Sequence, residues 1–313
     1  MNRKTFILRA LFIISLTSVI LFGFEKFMQK TMDNVKYDYV GKINKIMQNK
    51  VKEDVIIWGA STAEGHFIPN EIVSKTGLST FNYGLTGTNI DQSAGLLKHY
   101  FTNDSTPQKV IIALDIHGGL VKRKQIFQAF NWLHVLDNED ISGSLFNIDT
   151  NLIRKAKYLP FYSLILYGKH NVRYVKKVTT EYEYPELGFE ARSGVYIPGK
   201  IKSQRKFGES TVVYNKLKQL CELGVSKNKS IYIVLTPCYI EGLENGTNVE
   251  SIVSKLKALE NTNITFMNYL KHPIHKDANF FKDNTHLNQK GAHYFTALFS
   301  NDFKDLLETN HNN

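Results

Sequence analysis

The chain has 313 residues, 42% of them hydrophobic and 22% charged, enough to bury a full core and better suited to one large domain than to two. A formal charge of +10 at pH 7, with a pI of about 9.3, suits an anionic surface or an acidic polymer. Lysine is spread along the chain, with neither an arginine-rich recognition helix nor zinc-finger spacing, so nucleic acid is not an expected partner.

The chain opens with a basic stretch, "MNRKTFILR", followed by the apolar or small run "ALFIISLTSVILFGF" (Ala10–Phe24). Counted from Thr5, the run reaches about the length a spanning helix needs. No small-x-small cleavage signal follows, since the next residues are "EKFMQK". Residues 1–30 therefore read as a cytoplasmic stub and an uncleaved signal anchor rather than a cleaved signal peptide. That reading puts the protein in the cytoplasmic membrane as a single-pass chain. Its C-terminal domain would be extracytoplasmic, in the periplasm or at the cell surface.

Residues 31–53 read as a polar, partly helical stalk, and 54–313 as the domain. Strands are expected at Val55–Trp58, Ser79–Gly84 and Lys109–Asp115, with a helix at Asp91–Phe101 between the last two. The excursion 120–208 is rich in Tyr, Phe, Lys and Arg, and is expected to form a lid or cleft wall. Regular elements then resume. A helix ending near Gly224 precedes a buried strand, "SIYIVLTP". A helix near Val249–Leu259 and a short strand, "ITFMNYL", lead to a long amphipathic C-terminal helix. Strands spaced by helices imply a three-layer α/β/α sandwich around a central, mostly parallel sheet.

"VIIWGASTAEGHF" (Val55–Phe67) places Ser61 just past the first strand, as either a nucleophile or a helix cap. A serine hydroxyl is a poor nucleophile without a base and an acid to orient that base. "FKDNTHLNQKGAHYF" supplies both, with Asp283 three residues before His286. The bland alternative is that Asp283 caps the last helix and His286 packs locally. "NYGLTGTN" offers Gly84 and Gly87 as points of close backbone approach to a developing oxyanion. His66 reads as part of a loop wall. "KHPIHKD" contains His272, His275 and Asp277 but lacks a further ligand cluster, so no metal is expected. Cys221 and Cys238 could pair, or could remain buried thiols.

These motifs, in this order, resemble the SGNH (GDSL-type) hydrolase superfamily. "GAST" (Gly59–Thr62) stands where the family has its G-D-S block, "NYGLTG" (Asn82–Gly87) is similar to the second block, and "DNTHLN" (Asp283–Asn288) to the last. The likeness covers Val55 to about Leu120 and Cys221 to the C-terminus. It implies a flavodoxin-like SGNH fold, with Ser61 as nucleophile, His286 as base and Asp283 as its partner. Backbone N–H groups of Ser61 and Gly87 would form the oxyanion hole.

Two positions depart from the family pattern. Ala60 replaces the Asp of the first block, and "LDIHGG" replaces G-x-N-D of the third, putting His117 where the oxyanion Asn would be. His117 could donate in its place or be a structural loop residue.

The resemblance further implies a membrane-anchored enzyme without a cofactor, an esterase or O-acetyltransferase acting on a cell-surface polysaccharide or other O-acylated glycan. A multi-pass membrane protein would deliver the acyl group in the transfer case. Asn89, Arg192 and Tyr196 are candidate substrate contacts, the last two lying in the aromatic and cationic excursion. The alternative is a non-catalytic polysaccharide-binding or assembly protein with a degenerate site. A further alternative, lipid-ester hydrolysis at the membrane surface, would need an open apolar groove beside Ser61.

Overall fold

The computed structural model describes residues 2–106, 108–166, 168, 184, 186–199, 206–244 and 246–311. Parts of the expected excursion, including most of "GKHNVRYVKK", lie outside the described residues.

Five strands form the sheet: β1 (Val55–Gly59), β2 (Thr80–Asn82), β3 (Gln108–Leu114), β4 (Lys229–Leu235) and β5 (Ile264–Asn268). Their spatial order is β2-β1-β3-β4-β5 and every pairing is parallel. Parallel strands need helical crossovers, which cover both faces, so their residues are apolar on both sides.

The pleat divides those residues between two cores. Ile56, Trp58, Val110, Ile112, Ile231 and Ile233 join one face, packed against Leu96, Leu97, Leu217 and Leu220 of the helices Ile90–Asn103 and Thr211–Ser226. Val55, Ile57, Ile111, Ala113, Tyr232 and Val234 join the other, against Ile72 of Pro69–Thr76 and Phe295, Phe299 and Phe303 of Gln289–His311. The architecture is α/β with helices on both sides of an all-parallel sheet. β2 is shorter than the expected Ser79–Gly84, although Tyr83 N and Leu85 N still donate to Ile57 O (2.8 Å) and Gly59 O (2.9 Å) before the turn at Thr86 and Gly87.

In such a sheet ligands collect outside the carboxyl ends of the strands where the strand order reverses. Here β2 lies to one side of β1 and β3 to the other, so that switch point is the end of β1.

The N-terminal helix runs continuously from Arg3 to Asp33, with a mean hydropathy of 2.2 over its most apolar 18-residue window. It is long and apolar enough to cross a membrane. Residues 31–53 are not a free stalk. Asn44 Nδ2 donates to Met32 O (2.7 Å) and Val35 O (2.9 Å), closing the end of the long helix. Val40, Ile43 and Ile46 of the helix Asp38–Met47 are fully or almost fully buried in the first core.

The first half of the excursion is likewise core rather than lid. Trp132, Ile141, Leu145 and Ile153 are buried, and Trp132 Nε1 donates to Tyr39 Oη at 3.2 Å.

Candidate active site

β1 ends at Gly59, whose φ of +155° favours glycine. A Cβ there would lie 2.5 Å from Ala113 O and 2.7 Å from Ala63 Cβ. The chain can therefore turn sharply off the sheet into the short helix Ser61–His66. Ser61 is its first residue, so its N–H has no intrahelical acceptor.

The residues expected to partner Ser61 come from a loop 225 positions away. That loop folds back as a tight hairpin, with Phe281 bridged to Leu287 and Lys282 N donating to His286 O at 2.8 Å. Backbone N–H groups of Thr285 (2.9 Å) and His286 (2.8 Å) donate to Asp283 Oδ1. This turn holds the carboxylate against the ring of its own i+3 neighbour, with both oxygens 2.9 Å from His286 Nδ1.

On the other side of the ring, His286 Nε2 lies 2.8 Å from Ser61 Oγ. Burial alone would raise the Asp283 carboxyl. The hydrogen bonds from His286 Nδ1 and the two backbone N–H groups reverse that and hold it well below the usual carboxylate range. An ionised Asp283 accepting from Nδ1–H leaves Nε2 as the basic nitrogen facing Ser61.

His66 sits behind this group rather than in a loop wall. It ends the Ser61 helix, is fully buried, and accepts from Leu287 N at Nε2 (3.0 Å). An acceptor Nε2 requires the proton to be on Nδ1, so the ring is neutral. Burial, with the His286 and Arg192 charges, pushes its pKa well below the ordinary value. That bond fixes Leu287, the residue following His286.

A buried polar cluster supports the Ser61 helix from beneath. Lys42 Nζ donates to Glu64 Oε1 (3.0 Å), Gly84 O (2.8 Å) and Gly188 O (2.8 Å). Glu64 also accepts from Thr86 Oγ1. Arg192 Nη2 donates to Ser61 O (3.2 Å) and Thr86 Oγ1 (3.1 Å), and lies 3.7 Å from Glu64 Oε2. Asn82 donates to Ala63 O (2.8 Å) and Phe67 O (3.0 Å), while accepting from Gly84 N (2.9 Å). The two turns and the helix are thus tied into one rigid piece.

The segment 186–199 crosses this edge as a strap. It is pinned through Leu187 O to Asn82 N (2.9 Å), Glu190 N to Glu64 O (3.1 Å), Arg192 O to Gln289 N (2.9 Å) and Tyr196 N to Phe281 O (2.7 Å).

The remaining expected site residues fall in several places. Gly87 has φ +80° and the ring of Phe127 over it, where a Cβ would come within 2.1 Å of Cε1. Its carbonyl accepts from Arg123 Nη2 at 2.5 Å. Asn89 is buried with its amide engaged: Nδ2 donates to Gly118 O (2.9 Å) and Val121 O (2.7 Å), and Oδ1 caps Gln92 N (3.3 Å). That is a clamp between two loops, not an outward substrate contact.

His117 points its Nε2 at Cys238 Sγ (3.2 Å), and its ring stands perpendicular to that of Phe207. Arg192 is turned inward onto the Ser61 helix, as described. Tyr196 donates to Glu241 Oε2 (2.9 Å) and packs against Tyr239 beside the hairpin. Cys221 and Cys238 are buried thiols not joined in a disulfide. In "KHPIHKD", His275 Nδ1 bonds His272 O (2.6 Å) and Asp277 Oδ1 caps Asn279 N (2.9 Å).

No protein-family model matches the chain, and no curated protein matches it significantly. Lys42, Glu64 and Thr86 escaped the sequence reading. A lysine between Tyr39, Val40 and Ile43 on an apolar helix face was the available signal that its charge must meet a buried partner.

Proposed function

We propose that the protein is an SGNH-type serine esterase or O-acyltransferase that works through an acyl-Ser61 intermediate. The observation that carries this reading is the continuous chain Ser61 Oγ–His286 Nε2–His286 Nδ1–Asp283, at 2.8 and 2.9 Å, at the switch point of the sheet.

In the first step His286 Nε2 takes the Ser61 proton as Oγ bonds to the acyl carbonyl carbon. The carbonyl oxygen becomes an oxyanion, held by the Ser61 and Gly87 N–H groups. The proton on Nε2 passes to the departing alkoxide as the ester C–O bond breaks. Water or a sugar hydroxyl then attacks acyl-Ser61, giving up its proton to His286, and Ser61 Oγ is reprotonated as it leaves.

The substrate proposed is an O-acetylated or otherwise O-acylated glycan of the cell surface, with the chain held at the membrane by its N-terminal helix. A second reading, a non-catalytic glycan-binding or assembly protein, draws its support from His117, whose Nε2 is committed to Cys238 Sγ.

Turnover of a small chromogenic acetyl ester by the full chain in detergent decides between them. Enzymatic activity should vanish in Ser61→Ala and His286→Ala proteins that remain folded. An unmutated protein without turnover favours the binding reading.

A further inference from the structure

The apolar run of the first helix ends at Phe24, and the next two residues, Glu25 and Lys26, are charged. Met28 is already buried in the domain. Helix rise is about 1.5 Å per residue, so the domain begins within about one turn of the apolar boundary. The surface around that point must lie close to whatever surrounds the apolar run.

The turn after Thr150–Tyr158 reaches that level, beside Leu133, Leu136 and Asp137. A groove of about 310 Å³ separates the helix from the turn after Thr150–Tyr158, lined by Phe22, Glu25 and Lys26 on one side and Tyr158, Leu159 and Pro160 on the other. Phe22 belongs to the apolar run itself. Ser163 Oγ donates to Glu25, so the segment is tied to the helix there.

Its outward residues are of two kinds. Tyr158 (74%), Leu159 (51%) and Ile165 (76%) are exposed apolar or aromatic side chains. Arg154 and Lys155, one turn earlier, are exposed cations, while Lys157 Nζ donates to Ser142 Oγ at 3.3 Å. Ile153 anchors the opposite side of that helix in the core. Aromatic and aliphatic side chains beside exposed cations, at the end of an apolar helix, are the composition of an interfacial membrane contact.

We infer that residues 154–165 form a second membrane contact. Tyr158, Leu159 and Ile165 enter the interfacial layer, and Arg154 and Lys155 face anionic phosphate headgroups. This rests on the reading that Arg3–Asp33 spans a bilayer. With two attachment points the domain cannot turn freely about the helix axis, so the orientation of the Ser61 edge to the surface is fixed.

The test uses the full chain in vesicles of phosphatidylcholine and phosphatidylglycerol in equal parts, with a nitroxide on Leu159→Cys, Leu16→Cys or Val212→Cys. Val212 is 58% exposed, on the helix Thr211–Ser226. Unsubstituted protein controls for labelling of the two buried cysteines. Collision with oxygen relative to a nickel chelate reports lipid against water.

The label at 159 is expected to read severalfold more lipid-like than that at 212. Charge reversal of Arg154 and Lys155 to Glu should lower it, at about fivefold in surface partitioning per cation. A label at 159 as aqueous as that at 212, with 16 in lipid, overturns the second contact and leaves the anchor standing. An aqueous label at 16 overturns both. Shielding of 159 from both reagents with spin–spin broadening assigns the surface to a second copy of the chain, and also overturns the proposal.

Discussion

Lys42 Nζ lies 3.0 Å from Glu64 Oε1, and the two side chains are only 2% and 5% exposed. One belongs to the helix Asp38–Met47, next to the apolar N-terminal helix, and the other to the helix that opens with Ser61. The helix that opens with Ser61 is therefore fastened to the segment that follows the apolar N-terminal helix by a buried charge pair.

Removing one partner of a buried pair leaves the other charge uncompensated. Lys42→Met should cost about 3–5 kcal/mol in unfolding free energy. Arg192, 3.7 Å from Glu64, moves the expectation towards the lower end. The double substitution Lys42→Met with Glu64→Gln should recover much of the loss. Urea titration of the four proteins in detergent measures the cycle. A loss in Lys42→Met below about 1 kcal/mol, a surface-pair value, would contradict it.

Asp283→Asn keeps an acceptor for the Thr285 and His286 N–H groups but presents an amide to Nδ1. The imidazole is then held in the wrong tautomer, and kcat for an acetyl ester should fall roughly ten-thousandfold with little change in KM. The same carboxyl is depressed in the folded state relative to its ordinary 3.8. Its contribution to stability is therefore fully present above pH 3.8 and lost as pH falls through the folded value. The Asn protein should lack that component of acid unfolding.

His134 is buried, and burial lowers its pKa from 6.5 to about 3. Its Nε2 meets Asn44 Oδ1 at 2.9 Å, and Asn44 spends its NH₂ on Met32 and Val35, so the Nε2–H donates. The folded state resists protonation while the unfolded chain accepts it below pH 6.5. Stability should fall as pH drops from 6.5 towards 3, by about 2 kcal/mol at pH 5 from this residue. His134→Gln should flatten the dependence by that amount. Unfolding free energies at pH 7 and pH 5 test it, and an equal slope in both proteins would refute it.

His117 separates two accounts of the oxyanion site. With its Nε2 on Cys238 Sγ, the ring serves the loop after β4, and His117→Ala should lower kcat by less than about tenfold. An oxyanion donor would cost about a hundred- to thousandfold. Steady-state kinetics on the ester give the answer, with thermal unfolding as the control for folding.

The sheet was legible because strands buried on both faces read as nearly continuous apolar runs rich in β-branched residues. "KVIIALD" and "SIYIVLTP" became Gln108–Leu114 and Lys229–Leu235 with boundary shifts of a residue or two. The Ser61, Asp283 and His286 positions were legible from local chemistry, a Gly-x-Ser at a strand end and a D-x-x-H before a helix. What stayed hidden depended on long-range contacts. Lys42 meets Glu64 across 22 positions and Gly188 across 146, and its place on an apolar helix face signals a buried partner without saying which. Asn89 and Arg192 were read as outward polar groups. Their buried acceptors, Gly118 O, Val121 O and Ser61 O, exist only once the loops are folded together. The stalk reading failed for the same reason, since the residues that bury Val40, Ile43 and Ile46 lie far away in sequence.

The central claim is that Ser61 becomes a covalent nucleophile when His286 takes its proton. The most direct measurement is intact-mass analysis of the full chain after incubation with a serine-reactive phosphonate, followed by peptide mapping. The account predicts one adduct, on Ser61, that forms far more slowly in His286→Ala and not at all in Ser61→Ala. A folded protein that takes up no label, or takes it up at another serine with Ser61 unmodified, would contradict it.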